Sequence, residues 1–204
     1  MGEVPSVPHA MRCRDGSSCS PIGPGRGTIA GVRDGFWIEP GVPLPDLSNG
    51  TTRPLLVGVV AVARGRAFFQ RRLADHPVFP SHLDVLGGFP RPGESVPAAI
   101  ARIVTEETGF KVDRVVSCAG FATWRSDAGE FVETEYAVEV AGDLDRPSSR
   151  YPVRDFYTWA DADELDTFRT LGERGAYLHQ VVANALRDVA KAPTRPTPLR
   201  AQLA

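Results

Sequence analysis

A glycine loop that leads into a short helix ending in paired carboxylates constrains the fold of this chain more than any other feature. The segment covers residues 88–110 and reads GFPRPGESVPAAIARIVTEETGF. Ser95 stands where a helix N-cap is expected, and Pro97 falls in the first turn, where a missing N–H costs little. Gly109 follows the last periodic residue, as a C-terminal stop should. The pattern therefore predicts a helix between Ser95 and Gly109.

Acidic side chains gather at both ends of this predicted helix. Glu106 and Glu107 are neighbours on its last turn, and Ile103 projects on the same side one turn earlier. Arg102 can pair with Glu106, and Glu94 precedes the helix and can reach the same region. Carboxylates this close repel each other unless a cation neutralises them, and their oxygens suit Mg²⁺ or Mn²⁺. A solvated, charged helix end is the alternative interpretation of the two glutamates.

The spacing of these residues resembles the Nudix box, Gly-x5-Glu-x7-Arg-Glu-U-x-Glu-Glu-x-Gly-U, where U is a bulky apolar residue. The chain matches it at Gly88, Glu94, Arg102, Glu106, Glu107, Gly109 and Phe110. It departs from it at Ile103, where the family has the first glutamate of the helix. The resemblance implies an α/β protein, a Nudix-type α/β/α sandwich around a mixed β-sheet. It also implies an enzyme, a Nudix-type pyrophosphohydrolase that cleaves a pyrophosphate linkage in a nucleoside diphosphate derivative or nucleotide.

The resemblance assigns roles to individual residues. Glu106 and Glu107 would hold Mg²⁺ or Mn²⁺, with Glu94 supporting the metal shell, and Arg102 would orient the two helix glutamates. The backbone at Gly87 and Gly88 would allow the substrate to approach closely. Basic residues of an arginine-rich strand upstream of the box, Arg72 among them, would meet phosphates or acidic partners, and a solvated strand end is the alternative.

Isoleucine at position 103 leaves the chemistry open, because its side chain can neither bind metal nor take a proton. An acid outside the box can replace the missing base, and the order of preference is Glu135, Glu133 and Glu130. Metal binding can also persist with weakened chemistry. The site can otherwise be a nucleotide-binding or sensor module without hydrolysis. A diphosphate-ester isomerase on the same fold, using Cys118 or an acid on carbon, is a further alternative.

Composition excludes several other classes of protein. The chain has 204 residues, 42% hydrophobic content and a net charge of −2, which fits a globular domain without a basic face for nucleic acid. No apolar run approaches the roughly 20 residues that cross a bilayer. The first residues lack the basic and apolar regions of a secretion signal, so a cytoplasmic protein is expected. The spacing of Cys13, Cys19 and Cys118 fits free thiols rather than a zinc site or disulfide framework.

The chain divides into three parts. Residues 1–52 form an arm rich in proline and glycine, with a β-hairpin expected at 28–38 that packs on the domain or serves a homodimer. Residues 53–190 form the domain, and residues 191–204 a flexible tail. Strands are expected at 55–62, 66–73, 83–86, 113–124 and 133–140, with a closing helix at 177–190. Trp124 and Trp159 are expected in the core.

Overall fold

The computed structural model describes seven parts of the chain: residues 31–33, 35–47, 53–74, 81–126, 129–148, 156–170 and 172–193. Residues 1–30, with Cys13 and Cys19, lie outside the described residues. The same holds for residues 194–204 of the expected tail.

A mixed β-sheet forms the centre of the molecule. Its strands are β1 (Gly31–Arg33), β2 (Phe36–Ile38), β3 (Leu55–Ala63), β4 (Arg66–Arg71), β5 (Leu83–Asp84), β6 (Leu86–Gly88), β7 (Lys111–Ser126), β8 (Gly129–Ala141) and β9 (Tyr157–Ala160). The strand order is β1-β2-β7-β8-β3-β4-β5, with β6 paired to β3 and β9 paired to β4. The β2–β7 and β3–β8 pairs are parallel, and the other pairs are antiparallel.

One helix covers each face of this sheet. The helix α1 (Val96–Thr108) packs on one face, where Ile100 and Tyr136 are fully buried. The helix α2 (Gly172–Lys191) packs on the other face, where Val60 and Val182 are fully buried. Because both faces are covered, β3 is apolar along its whole length instead of alternating. The expected α/β/α sandwich around a mixed sheet is confirmed.

The ends of α1 follow directly from its sequence. Ser95 caps the first turn, with its Oγ accepting a hydrogen bond from the Ala98 N–H at 3.3 Å. Gly109 ends the helix with a φ of 72°, and its N–H donates to the Thr105 carbonyl at 2.9 Å. These two caps fix where the carboxylates of the last turn emerge.

The segment that precedes the expected domain joins the same sheet. β1 and β2 pair antiparallel, and β2 then pairs in parallel with β7. Phe36 and Ile38 are 2% and 0% exposed and belong to the α1-side core. The Glu39 N–H donates to the Val115 carbonyl at 3.0 Å, which continues the pairing beyond β2.

Two elements differ from the sequence-based expectation. The predicted strand at 83–86 is two short strands, β5 and β6, because Val85 leaves the ladder between them and its N–H bonds the Asp84 carboxylate at 2.9 Å. The closing helix begins at Gly172 rather than near Tyr177, which places Arg174 in its first turn. No helix of the described residues is long and apolar enough to cross a membrane.

Candidate active site

The glycine pair before the box loop lies in β6. Gly87 and Gly88 pair with Gly58 and Val57 of β3, so the box loop leaves directly from the centre of the sheet. Gly87 is exposed and offers bare backbone to a ligand. Gly88 faces Ile103 of α1, whereas Gly87, paired with Gly58, faces the other side of the sheet.

Ile103 is part of the core. Its side chain is 1% exposed and packs over Gly88, where an added Cβ would lie 3.6 Å from Ile103 Cγ1. A carboxylate at this position would face the glycine loop. The isoleucine fills that space with hydrocarbon instead.

Arg102 and Glu94 form a two-pronged ion pair that fixes the box loop to the helix. Arg102 Nε donates to Glu94 Oε1 at 2.8 Å, and Nη2 donates to Glu94 Oε2 at 2.9 Å. The same Nη2 also donates to the Phe89 carbonyl at 3.0 Å. Hydrogen bonding from Arg102 lowers the pKa of Glu94, so this carboxylate stays ionised. Both carboxyl oxygens of Glu94 are thus engaged by the Arg102 guanidinium.

Glu106 also lies between arginines. Arg91 Nη2 donates to its two oxygens at 2.9 and 3.2 Å, and Arg102 Nη1 reaches Glu106 Oε2 at 3.4 Å. Although partial desolvation opposes it, the hydrogen bonds and charges of Arg91 and Arg102 lower the pKa of Glu106. The structure therefore brings Arg102, Glu94 and Glu106 together, as the sequence predicts, and adds Arg91.

Glu107 points toward the sheet. It is 7% exposed, and its Oε2 accepts a hydrogen bond from Gln70 Nε2 of β4. Gln70 is itself 3% exposed and was not foreseen as a site residue. Gln70 lies two residues after the buried Phe68 in β4, so both side chains share one face of the strand. This spacing is the sequence signal that could have identified Gln70 as buried.

A second, buried ionic network lies near α2. Arg174 binds Glu133 through Nη1 at 2.6 Å and Asp84 through Nη2 at 2.8 Å. Arg72, expected to meet substrate phosphates, binds the other oxygen of Asp84 at 2.5 Å. Trp124 Nε1 donates to Glu133 at 2.5 Å, and the Trp124 ring lies 5.3 Å from the guanidinium.

Sequence reasoning missed Arg174 and Asp84, since a charged residue at a helix start or a strand end normally faces water. Trp124 is 2% exposed, which agrees with its expected place in the core.

Glu135 lies apart from the glutamates of α1. It is fully buried at Gly58, on the α2 face of the sheet, because it shares the orientation of Glu133 along β8. Neither carboxyl oxygen has a hydrogen-bonding partner among the described residues. Burial, reinforced by the charge of Glu133, raises the pKa of Glu135 well above its ordinary range. Its position leaves the whole sheet between this acid and α1.

The two carboxylates at the end of α1 could hold a divalent ion only together with ligands from outside the protein. Glu106 and Glu107 supply hard oxygen donors, which Mg²⁺ prefers. No group of three His, Cys, Asp or Glu side chains gathers as a metal site within the described parts of the chain. The donor set therefore fits an ion that two carboxylates share with substrate phosphates, and it does not form an all-protein cage.

A family model and several solved structures match this chain. The model of the NUDIX domain matches residues 52–180. A MutT protein from Methanosarcina mazei Go1 is 21% identical with a TM-score of 0.51, over 70% of this chain and 100% of its own. A NUDIX-family hydrolase from Clostridium perfringens is 14% identical with a TM-score of 0.52, over 67% of this chain and 98% of its own. No curated protein sequence matches the chain.

Proposed function

This chain belongs to the NUDIX domain family, and we propose that it hydrolyses a pyrophosphate linkage in a nucleoside diphosphate derivative. The expected enzyme class, a Nudix-type pyrophosphohydrolase, agrees with that membership. One observation carries the proposal. Arg102, held by Glu94 and by the Phe89 carbonyl, fixes Glu106 at the end of α1 beside Glu107. Preorganised carboxylates of this kind are what a cation-assisted phosphoryl reaction needs.

Glu106 and Glu107 would hold Mg²⁺ or Mn²⁺ together with the substrate phosphates. When bound, such an ion neutralises developing negative charge and lowers the pKa of a coordinated water. Arg102 keeps the Glu106 carboxylate in place, and Glu94 acts through Arg102. Gln70 plays the same positioning part for Glu107 from β4.

The backbone at Gly87 and Gly88 would allow the phosphate chain to approach closely. A role for Arg72 in binding phosphate requires it to exchange Asp84 for the substrate, because Asp84 holds it in a two-pronged ion pair. A cytoplasmic location and a homodimeric state are proposed from the sequence alone.

The proton acceptor is the open part of the reaction. Glu135 is the first of the expected replacement bases, but its burial on the α2 face gives that role no support. Glu133 is held by Arg174 and Trp124 on the same face. Glu130 pairs with Arg53 at 3.0 Å near the start of β8. We propose that Glu107, the most deeply buried acid on α1, orients the attacking water.

A nucleotide-binding module without hydrolysis is the second candidate. The observation that favours it is Ile103, which is buried against Gly88 where the family places a glutamate. An isomerase has less support. Burial raises the pKa of the Cys118 thiol to about 11, which disfavours a reactive thiolate, and the described part of the chain shows this cysteine free within β7.

Product analysis distinguishes these candidates. Purified protein with Mg²⁺ or Mn²⁺ is given nucleoside triphosphates, nucleotide sugars and dinucleotide pyrophosphates, alongside the variants Glu106→Gln and Glu107→Gln. Hydrolysis is expected, with each variant slower by about 10² or more, because the charge stabilisation centred on the cation is a large term. Glu164→Gln, an exposed glutamate beside Arg66, is the matched control.

Near-native turnover in either α1 variant would remove the metal assignment. An intact diphosphate with an altered carbon skeleton would indicate isomerisation. Tight binding without products would favour the binding module.

A further inference from the structure

A cleft separates the segment before the domain from the box loop. Its volume is about 910 Å³, within the usual range for small-molecule sites. The lining is mainly apolar and includes Leu44, Leu47, Leu55, Phe89, Pro90 and Pro92. A cavity of this size and composition can enclose a planar organic group.

One wall of the cleft lies outside the part of the chain that matches the NUDIX domain model. Leu44 and Leu47 lie upstream of residues 52–180, the part that matches the NUDIX domain model. The wall is held in place by neighbouring contacts. The Tyr136 hydroxyl donates to the Pro43 carbonyl at 3.0 Å, and Val42 is 2% exposed. The segment is therefore a fixed part of the fold that shapes the cleft.

The other wall connects the cleft to the acids of α1. Arg91 lines the cleft and reaches Glu106 at 2.9 Å, so the two regions are joined by a single side chain. Phe89 follows directly after Gly88 and is 52% exposed, and its ring lies 6.1 Å from that of Phe131. Phe89 therefore offers an accessible aromatic face to the cleft, next to the glycine loop.

We propose that this cleft binds the aromatic base of a nucleoside diphosphate derivative, with Phe89 as its stacking surface and Arg91 facing the adjoining phosphate. The proposal rests on the proposed function, since it assumes a phosphate chain at Glu106 and Glu107. The charge pattern supports it. Arg102 neutralises Glu94 at the cleft, which leaves the Arg91 guanidinium to meet an anion once Glu106 turns to a cation. Bases of any kind stack on an aromatic side chain, so Phe89 contributes affinity for the nucleoside more than choice of base.

The test compares two ligands that share a phosphate chain and resist cleavage: α,β-methylene-ADP and methylenediphosphonate. Calorimetric titration in Mg²⁺ measures the Kd of both for the full chain, for Phe89→Ala, and for Phe156→Ala as control. Phe156 is also exposed, at 40%, but it lies beside Arg71 and outside the residues that line the cleft. Phe89→Ala is expected to raise the Kd of α,β-methylene-ADP about tenfold and to leave the Kd of methylenediphosphonate unchanged.

Leu47→Ser tests the opposite wall and is expected to raise the Kd of α,β-methylene-ADP but not that of methylenediphosphonate. Equal losses for both ligands, no loss in Phe89→Ala, or no binding of α,β-methylene-ADP by the parent protein would overturn the proposal. The result is independent of turnover. A selective loss with no hydrolysis of any substrate would retain the cleft and reject the proposed reaction.

Discussion

Ile103 Cγ1 lies so close to Gly88 that a single added carbon on the glycine would be in van der Waals contact with it, at 3.6 Å. This pair joins the hydrophobic core to the glycine loop at the place where a Nudix box carries an acid. The helix that presents Glu106 and Glu107 is thus anchored by an apolar contact, and its third acidic position has become part of the packing.

Restoring the acid tests that relationship. Ile103→Glu is expected to lower the melting temperature without metal, because an unpaired carboxylate is costly at a site that is 1% exposed. Mn²⁺ should recover much of the loss and should bind at least as tightly as in the parent, since a further carboxylate joins Glu106 and Glu107. Thermal melts with and without Mn²⁺ measure this. Ile100→Glu, also buried on α1, should be destabilised without recovery. Weaker Mn²⁺ binding in Ile103→Glu would mean that this helix face does not adjoin a metal site.

Arg91 is expected to compete with a cation for Glu106. Its guanidinium already contacts both oxygens of that carboxylate, although its own side chain is 57% exposed. Arg91→Ala should therefore bind Mn²⁺ about threefold more tightly, a modest change because exposed ion pairs are weak. Electron paramagnetic resonance titration gives the affinity without any substrate. Arg125→Ala, which removes an exposed arginine paired with Glu130, should leave it unchanged. An unchanged or weaker affinity in Arg91→Ala would contradict the competition.

Arg174 is expected to be a major stabilising residue. Arg174→Met leaves Glu133 and Asp84 buried without their shared guanidinium, which should cost about 3 to 5 kcal/mol in the free energy of unfolding. Arg187→Met, on the same helix and 52% exposed, should cost less than about 1 kcal/mol. Urea denaturation of both variants gives the comparison. A small effect at Arg174 would show that water enters the network and replaces the guanidinium.

Glu135 should make the protein less stable as the pH rises. Its folded-state pKa is raised by burial, so above the ordinary value of 4.5 the unfolded chain releases this proton and the folded chain keeps it. The folded chain then binds more protons, and the free energy of unfolding falls with pH until the folded-state pKa is passed. Glu135→Gln removes the carboxyl group and with it this dependence of stability on pH. The variant should therefore gain stability relative to the parent as the pH rises above 4.5, which urea denaturation at several pH values measures. Parallel pH profiles for the two proteins would argue that Glu135 is ionised in the fold.

The sequence predicts the local features of this structure well and its long-range pairs poorly. The caps at Ser95 and Gly109 and the antiparallel pairing of β7 with β8 follow from residues close together in the chain. The bond from Gln70 to Glu107 joins elements that only the fold brings together. For the candidate site, the residues of the box and their pairing were predictable, since they lie within one loop and one helix.

Partners from elsewhere in the chain could not be read in the same manner. Arg174 is 90 positions from Asp84, and no periodicity links them. Alternation along β8 places Glu133 and Glu135 on one face of the sheet. That alternation gives which residues share a face, but it does not say which helix covers that face.

The parallel pairing of β2 with β7 bears on how this protein can be shortened. A chain that starts at residue 52, where the NUDIX domain match begins, would leave the backbone groups of β7 that face Trp37 and Ile38 unpaired. It would also uncover the apolar surface now packed against Phe36 and Ile38. Open strand edges beside apolar surface recruit other chains, so such a fragment would tend to self-associate. Expression boundaries drawn from family resemblance alone would thus remove two strands and expose β7 as a new edge of the sheet.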